Sequence, residues 1–155
     1  MEDFKIETVL RKYTGDKRDV VIPDCVTAID MFAFSGRSLV SVTIPDSITC
    51  IPVGAFEYCG YLESVVLPKN LKQIAGHGFS RCKALESITI PESLEVVDNF
   101  AFENCVSLKT VVIKGTMTRF GLFPFNGCRS LTIHAPKGSV AEKFAMDSHI
   151  PFEEL

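Results

Sequence analysis

Apolar and polar positions recur along the chain with a period of 22 or 23 residues. The segment from Val42 to Ser64 carries an apolar skeleton that returns from Val65 to Ser87 and again from Ile88 to Thr110. An earlier copy runs from Val20 to Ser41, and a degenerate copy starts at Val111. Self-similarity at a fixed period is the signature of a repeat architecture, so we predict a repeat protein of about five coils.

Each copy predicts one short strand followed by a compact turn. Two apolar residues open the copy, as Val42 and Ile44 do, and a proline such as Pro45 ends the run. Alternating β-branched residues suit a strand, and a residue without an N–H group cannot continue its ladder. Later in each copy, the pattern Ala-Phe-x-x-Cys-x-x-Leu predicts a short helical or 3₁₀ segment whose Phe, Cys and Leu share one face.

Stacking of these copies predicts an α/β solenoid, right-handed and built from short parallel strands. One copy cannot bury its own apolar side, whereas stacked copies join the strands into a sheet and the aromatic residues into a continuous core. The thickest part of that core is predicted to be a column of phenylalanines, namely Phe34, Phe56, Phe79, Phe102 and Phe125. Leucine-rich repeats fit this description.

Both ends of the repeat array are predicted to carry caps. Alternating apolar residues between Phe4 and Tyr13 predict an N-terminal hairpin. Near the other end, Ser139-Val-Ala-Glu142 has the form of a capping box and predicts a helix to about Met146. The chain is therefore predicted to be a single domain with three parts, the N-terminal cap at 1–19, the repeats at 20–135 and the C-terminal cap at 136–155.

The repeated unit and both ends resemble one known family. The unit V-x-I-P-x-x-(V/I)-x-x-I-x-x-x-A-F-x-x-C-x-x-L-x-S resembles the BspA-type leucine-rich repeats of many bacterial and some protozoan surface proteins. Residues 4–34 and the segment from Ala135 to Ala145 are similar to that family's usual opening and closing helix. The resemblance implies adhesion or protein binding, often at the cell surface, and it carries fold more firmly than function.

Composition and charge narrow the classes of partner. The chain has 155 residues, 46% of them hydrophobic, which is enough for one elongated core. The net charge is -3 and the 16 basic residues are scattered, so no nucleic-acid partner is expected. No apolar run approaches the roughly 18 residues of a membrane span, and no signal peptide is evident. These features predict a cytoplasmic protein, whereas the family resemblance implies the cell surface or secretion.

Four cysteines recur at the repeat spacing and predict buried free thiols. A zinc ion needs ligands about 2.3 Å from one point, whereas neighbouring coils are offset by roughly 4.8 Å along a line, so no metal or other cofactor is expected. A catalytic cysteine would need a base, and His77, His134 and His149 recur at no matching position. The sequence therefore predicts no enzyme. The cysteine column consists of Cys59, Cys82, Cys105 and Cys128.

Two surfaces are candidates for binding. The first is the outward row of the predicted sheet, formed by Ser41, Thr43, Ser64, Val66, Ser87, Thr89, Thr110 and Val112. The second is a set of large apolar residues before each Ala-Phe pair, namely Met31, Phe32, Phe100, Leu122 and Phe123. Each surface also has an explanation that involves no binding. The residues of the first favour β structure on a solvated face, and those of the second are partly buried under the next coil.

Three functions remain open on this basis. A non-enzymatic protein-interaction module is favoured because stacked repeats present an extended surface, and its partner would be another protein. A carbohydrate- or host-surface-binding adhesin is the alternative, and it would use exposed aromatic residues such as Tyr58 and Tyr61 beside polar groups. An enzyme is the third, which a thiol-reactivity probe would test.

Overall fold

The structure is a computed structural model that describes residues 8–117 and 119–155. Its strands are short, and one helix lies between the last two of the described strands. In chain order the strands are β1 Val9–Leu10, β2 Asp19–Val21, β3 Ala28–Ile29, β4 Ser41–Thr43, β5 Cys50–Ile51, β6 Ser64–Val66, β7 Gln73–Ile74, β8 Ser87–Ile90, β9 Val96–Val97, β10 Thr110–Ile113, β11 Arg119–Phe120, β12 Thr132–Ala135 and β13 Phe152–Glu154. The helix is α1 Val140–Asp147.

The strands lie in two rows that run along the stack of coils, and each row is divided into two hydrogen-bonded ladders. The strands that open the coils (β2, β4, β6, β8, β10 and β12), together with β13, form what we call the front sheet. The strands β1, β3, β5, β7, β9 and β11 form the side sheet. Every described pairing is parallel. The predicted solenoid of stacked parallel strands is confirmed, and the side sheet is a second row of strands that the sequence pattern did not predict.

A single apolar core lies between the two sheets and the turns. Side chains alternate across the front sheet, so that Val42 and Ile44 are 1% and 2% exposed while Thr43 between them is half-buried. The five predicted phenylalanines are at most 5% exposed. Their rings stack coil upon coil, with centroids of neighbouring rings 4.9 to 5.4 Å apart. The predicted aromatic core is therefore confirmed.

The Ala-Phe segments are consecutive turns, so the predicted helical or 3₁₀ segments are wrong. In the first coil, Ser35 N–H donates to Phe32 O within the turn at 3.1 Å, whereas Phe34 N–H donates to Ala55 O of the next coil at 2.8 Å. The same alternation continues through the later coils. A helix directs all its N–H groups along its own axis, whereas here every second one points to the next coil. We call this third set of inter-coil bonds the turn ladder.

The predicted N-terminal hairpin lies partly outside the described residues, because Phe4 and Ile6 of its expected alternation are not described, so the hairpin stays a prediction. The described part, Val9–Leu10, pairs in parallel with Ala28–Ile29 of the first coil. Tyr13 N–H joins the turn ladder at Ala33 O, 2.8 Å away, and its ring stacks on Phe34 at 5.2 Å. This segment is a partial coil that covers the core, which brings the solenoid to about six coils.

The C-terminal cap follows the prediction. Ser139 Oγ accepts the N–H of Glu142 at 3.2 Å, as expected of a capping box, and α1 ends one residue beyond Met146. Phe144 of α1 stacks on Phe120 with ring centroids 4.0 Å apart, and it closes the apolar core from that end. After the helix, β13 pairs in parallel with β12.

A proline lies at one interruption of the side sheet. Asp30 N–H donates to Leu10 O, and Ala75 N–H donates to Ile51 O, so residues at this position link one coil to the coil before it. In the second coil the position is Pro52, which has no N–H to donate. Pro52 therefore removes one of the bonds that would join β5 to β3, and the two strands fall into separate ladders.

Candidate functional site

The outward row of the front sheet is accessible along the whole solenoid. Its side chains alternate with core residues such as Val42 and Val111, because successive strand residues point to opposite faces. The side chains of the row are small and uncharged, and those in the third and fourth coils are the most exposed. Ser64, Val66, Ser87 and Thr89 are exposed, while Ser41, Thr43, Thr110 and Val112 are half-buried.

A crevice opens in this row between β6 and β8. Across the neighbouring pair β4 and β6, Ile44 N–H donates to Val66 O at 3.0 Å. The equivalent groups one coil further on, Leu67 N–H and Thr89 C=O, make no such bond, and β6 and β8 belong to separate ladders in the part of the chain that the structure describes. The crevice has a volume of about 590 Å³. It therefore presents two strand edges whose backbone groups face each other without pairing.

The crevice has an apolar floor and charged ends. Val65 and Leu67 are only half-buried here, whereas the inward residues Val42 and Ile44 of the coil before are buried. Glu63 lines the end at which the strands begin. The lining residues near the end at which they finish include three charged ones, Lys69, Glu92 and Lys114.

Lys69 is held in place by Asp46 of the preceding coil. Its Nζ lies 3.2 Å from Asp46 Oδ2, and its backbone N–H donates to Asp46 Oδ1 at 2.9 Å. That backbone bond is the main reason that the pKa of Asp46 lies below its ordinary value. One end of the crevice thus carries a positioned acid–base pair.

The second predicted surface forms an aromatic ridge along the turns. Phe32, His77, Phe100 and Phe123 occupy the same position in successive turns, where the second coil has Gly54. His77 stacks on Phe100 with ring centroids 5.3 Å apart, and Phe100 lies 6.1 Å from Phe123 in a tilted arrangement. Phe32 is 50% exposed and Phe123 is 67% exposed. Met31 and Leu122 beside them are also exposed, at 60% and 63%. Phe100 is half-buried between its neighbours.

All of the ridge residues have a left-handed backbone. The φ angles of Phe32, His77, Phe100 and Phe123 lie between 48° and 58°, and Gly54 has a φ of 63°. A bulky residue is unusual in this region, which glycine enters without strain. The turn ladder explains this angle. A left-handed residue reverses the direction of the backbone, so that every second N–H group points toward the next coil.

The two tyrosines considered for carbohydrate binding are accessible but partly covered. Tyr58 is 54% and Tyr61 61% exposed. The guanidinium of Arg81 lies 5.1 Å from the ring centroid of Tyr58, and that of Arg18 lies 5.5 Å from that of Tyr61. One face of each ring is therefore occupied by a cation of the same chain.

The predicted burial of the cysteine column is confirmed. The four thiols are at most 9% exposed, and each donates to a phenylalanine carbonyl of the preceding coil at 3.1 to 3.3 Å. Burial raises the pKa of Cys59 and of Cys128 to about 12, so both are neutral thiols at physiological pH. A thiol must ionise to act as a nucleophile, and these two do not.

Within residues 8–117 and 119–155, no three His, Cys, Asp or Glu side chains are grouped so that they could hold a metal ion. In the same ranges no helix has the length and apolar character needed to cross a membrane.

The sequence predicted the row around the crevice but not the crevice itself. Val65 and Leu67 match the apolar pattern of the other coils, so nothing in the repeat indicates that β6 and β8 are not bonded. The free backbone groups are visible only in the structure.

Known proteins with the same pattern identify the fold family. The sequence pattern described as BspA type Leucine rich repeat region, in six copies, matches residues 6–132. The chain belongs to this BspA-type leucine-rich repeat family. The six matched copies agree with the partial N-terminal coil described above, which lies within the predicted cap at 1–19.

Solved structures of bacterial leucine-rich repeat proteins are similar to this BspA-type chain. One is a T. pallidum leucine-rich repeat protein, with 30% identity, a TM-score of 0.75, and coverage of 81% of this chain and 62% of that one. A Bacteroides capillosus leucine-rich repeat protein shares 35% identity with a TM-score of 0.65, covering 72% of this chain and 90% of that one.

A third similar structure is a leucine-rich cell surface protein of Faecalibacterium prausnitzii, with 29% identity and a TM-score of 0.77. The match covers 86% of this chain and 36% of that one, so this chain spans less than two thirds of the T. pallidum and F. prausnitzii proteins. Among curated proteins, none matches the chain.

Proposed function

We propose that this chain is a non-enzymatic protein-interaction module that binds an extended segment of another protein at the crevice of the front sheet. The observation that carries the proposal is the pair of unbonded strand edges, β6 and β8, on either side of a crevice of about 590 Å³. Extended peptides bind to exposed strand edges because main-chain hydrogen bonds give affinity and side-chain pockets give specificity.

The surroundings of the crevice suit such a segment. The small side chains of Ser64, Ser87 and Thr89 leave the backbone accessible, and Val65 and Leu67 offer apolar contact below. The charged residues at the two ends would select the register of the bound segment, because like charges in contact are unfavourable. Among the described strands of the front sheet the crevice occurs at one coil junction, so it is a feature of this junction and not of the repeat.

The chemistry of the cysteines supports a non-enzymatic role. They are the obvious nucleophiles of the chain, and two of the buried ones have a pKa of about 12. Membership of the BspA-type family supports protein interaction as well, because stacked repeats provide an extended surface.

Affinity measurements on selected peptides test the proposal. Peptides are first selected from a random library on the immobilised protein, and their affinities are then measured by calorimetry for the wild type, Thr89→Arg and Thr43→Arg. Thr89 lines the crevice, whereas Thr43 occupies the same outward position two coils earlier and does not line it. We expect Thr89→Arg to weaken binding by at least about tenfold and Thr43→Arg to leave it nearly unchanged.

The free energy of unfolding of both variants should lie within about 0.5 kcal/mol of that of the wild type, because both side chains are on the outward face of the sheet. Selected peptides that bind both variants as tightly as the wild type would place the interaction elsewhere.

Carbohydrate binding is a second candidate, supported by the exposure of Tyr58 and Tyr61. Their free ring faces could stack on a sugar while Arg18 and Arg81 supply hydrogen-bond donors. A glycan array that compares the wild type with Tyr58→Ala and Tyr61→Ala tests it. Signals that are absent in the wild type, or unchanged in both variants, would remove this candidate.

The compartment of the protein decides which partners it meets. The BspA-type resemblance and the similarity to an F. prausnitzii cell surface protein support a location at the cell exterior, and the cytoplasm is the alternative. Fractionation of the native cell, followed by affinity capture from the fraction that contains the protein, distinguishes the two locations.

A further inference from the structure

The turn ladder has an open end at the fifth coil. Between the fourth and fifth coils it is complete, with three N–H groups that donate across the junction at 3.0, 2.8 and 2.7 Å. These bonds run from Phe100, Phe102 and Asn104 to the carbonyl oxygens of Leu122, Pro124 and Asn126. The same three positions donate to the next coil in each of the three preceding turns.

The equivalent groups of the fifth turn have nothing to bond. Phe123, Phe125 and Gly127 occupy the three donor positions, and their N–H groups reach no acceptor among the described residues. The turn itself has the same form as the others, since Phe123 and Gly127 have φ angles of 48° and 83° and Asn126 N–H donates to Phe123 O at 3.2 Å. The three free N–H groups therefore point away from the fourth coil, along the axis of the solenoid.

A cavity lies where these donors point. It has a volume of about 490 Å³ and separates the fifth turn from the C-terminal end of α1 and the residues that follow it. Phe144, Ile150 and Pro151 give it apolar walls. Arg129 and His149 also line it, and none of the lining residues is acidic. This local cationic character contrasts with the net charge of -3 of the chain.

The opposite end of the turn ladder is different. There Tyr13 N–H donates to Ala33 O at 2.8 Å, and the Tyr13 ring covers Phe34. The free donors at the fifth turn are thus a feature of one end only, and α1 covers the phenylalanine column without reaching these N–H groups.

We propose that the open end of the turn ladder captures an acidic peptide segment of a partner protein. The segment would present carbonyl oxygens from every second residue to the N–H groups of Phe123, Phe125 and Gly127, as the turns within the solenoid do. A carboxylate of the segment would pair with Arg129, since charge-assisted bonds to guanidinium are the stronger ones. The site is separate from the front-sheet crevice, so either can fail without the other.

Amide hydrogen exchange followed by NMR tests the open ladder directly. In the free protein we expect Phe123 and Gly127 amides to exchange on the order of 100-fold faster than Phe100 and Asn104, their counterparts one coil earlier. Titration with the peptide acetyl-Val-Asp-Val-Asp-Val-Asp-amide should then shift and protect the amides of Phe123, Phe125 and Gly127 and leave Phe100 and Asn104 unchanged.

Charge variants and a charge-reversed peptide test the specificity. Arg129→Glu should weaken binding of the acidic peptide by about tenfold, whereas Arg119→Glu, an exposed side-sheet control outside the cavity, should not. The lysine analogue acetyl-Val-Lys-Val-Lys-Val-Lys-amide should not protect these amides.

Four results would overturn the proposal. They are slow exchange of Phe123 and Gly127 in the free protein, no effect of the acidic peptide at millimolar concentration, equal binding of the lysine analogue, and equal binding to Arg129→Glu. Protection that grows with protein concentration in the absence of peptide would instead assign the donors to a second copy of the chain.

Discussion

The ring of Phe32 lies across Gly54, so close that a β-carbon at position 54 would overlap with Phe32 Cε1. Gly54 holds the ridge position of the second coil and has a φ of 63°, like the aromatic residues at that position in other coils. The absence of a side chain there lets the first coil's ring lie along the solenoid axis. The aromatic ridge is therefore continued across the second coil by Phe32.

Replacement of Gly54 by alanine should expose this relationship. We expect Gly54→Ala to lower the free energy of unfolding by about 1 to 2 kcal/mol, because a β-carbon is strained in the left-handed region and also displaces the Phe32 ring. In a double-mutant cycle with Phe32→Ala, measured by chemical denaturation, the coupling should be at least about 0.5 kcal/mol. Strictly additive effects would show that the ring does not depend on the glycine.

The central phenylalanine should matter far more to stability than a ridge phenylalanine. Phe79 is fully buried, with Phe56 and Phe102 stacked on its two faces at 5.2 and 5.4 Å. Phe79→Ala should therefore lower the free energy of unfolding by about 3 to 5 kcal/mol, since the neighbouring coils cannot collapse into the cavity. Phe123→Ala, at 67% exposure, is the control and should change it by about 0.5 kcal/mol or less. A loss under about 1 kcal/mol for Phe79→Ala would contradict the proposed core.

The cysteine column should make the protein sensitive to alkali. Burial raises the folded-state pKa of Cys59 to about 12, above that of the thiol in the unfolded chain. Between the two values the folded state holds the proton and the unfolded state has lost it. The contribution of Cys59 to stability is therefore fully present below the pKa of the thiol in the unfolded chain, and it is lost as the pH rises toward 12.

Denaturation curves between pH 8 and pH 11 measure this effect. Cys59→Ser should reduce the downward slope of unfolding free energy against pH, whereas the exposed Cys25→Ser should leave the slope as in the wild type. An unchanged slope in Cys59→Ser would show that the buried thiol does not titrate with unfolding.

The repeated core could be predicted from sequence because it is dictated by burial. Phe56 and Cys59 recur at one position in successive coils, and a position that must be apolar in every copy leaves a clear periodic signal. The helix was predictable because its start is set by a short-range pattern, in which Ser139 Oγ accepts the N–H of Glu142 and the Glu142 carboxylate accepts the N–H of Gly138.

The bonds between coils could not be predicted in the same way. Left-handed turns are usually signalled by glycine or asparagine, whereas Phe32, Phe100 and Phe123 give no such signal. The sequence pattern therefore predicts helical segments where the structure has turns. The sequence shows that Pro52 has no backbone N–H to donate. The side sheet that lacks this bond was not predicted, so the consequence of the proline was not predicted either.

Hydrogen exchange distinguishes a crevice confined to the front sheet from coils that separate altogether. The third and fourth coils remain bonded at the side, where Asp98 N–H donates to Ile74 O at 2.9 Å. At the front, Leu67 N–H has no acceptor in the described chain, whereas Ile44 N–H one coil earlier donates to Val66 O at 3.0 Å. We expect the Leu67 amide to exchange at least about tenfold faster than Ile44, and Asp98 to remain as slow as Ile44. Fast exchange at Asp98 as well would mean that the two coils part completely, and slow exchange at Leu67 would mean that the front sheet is continuous and offers no free strand edge to a partner.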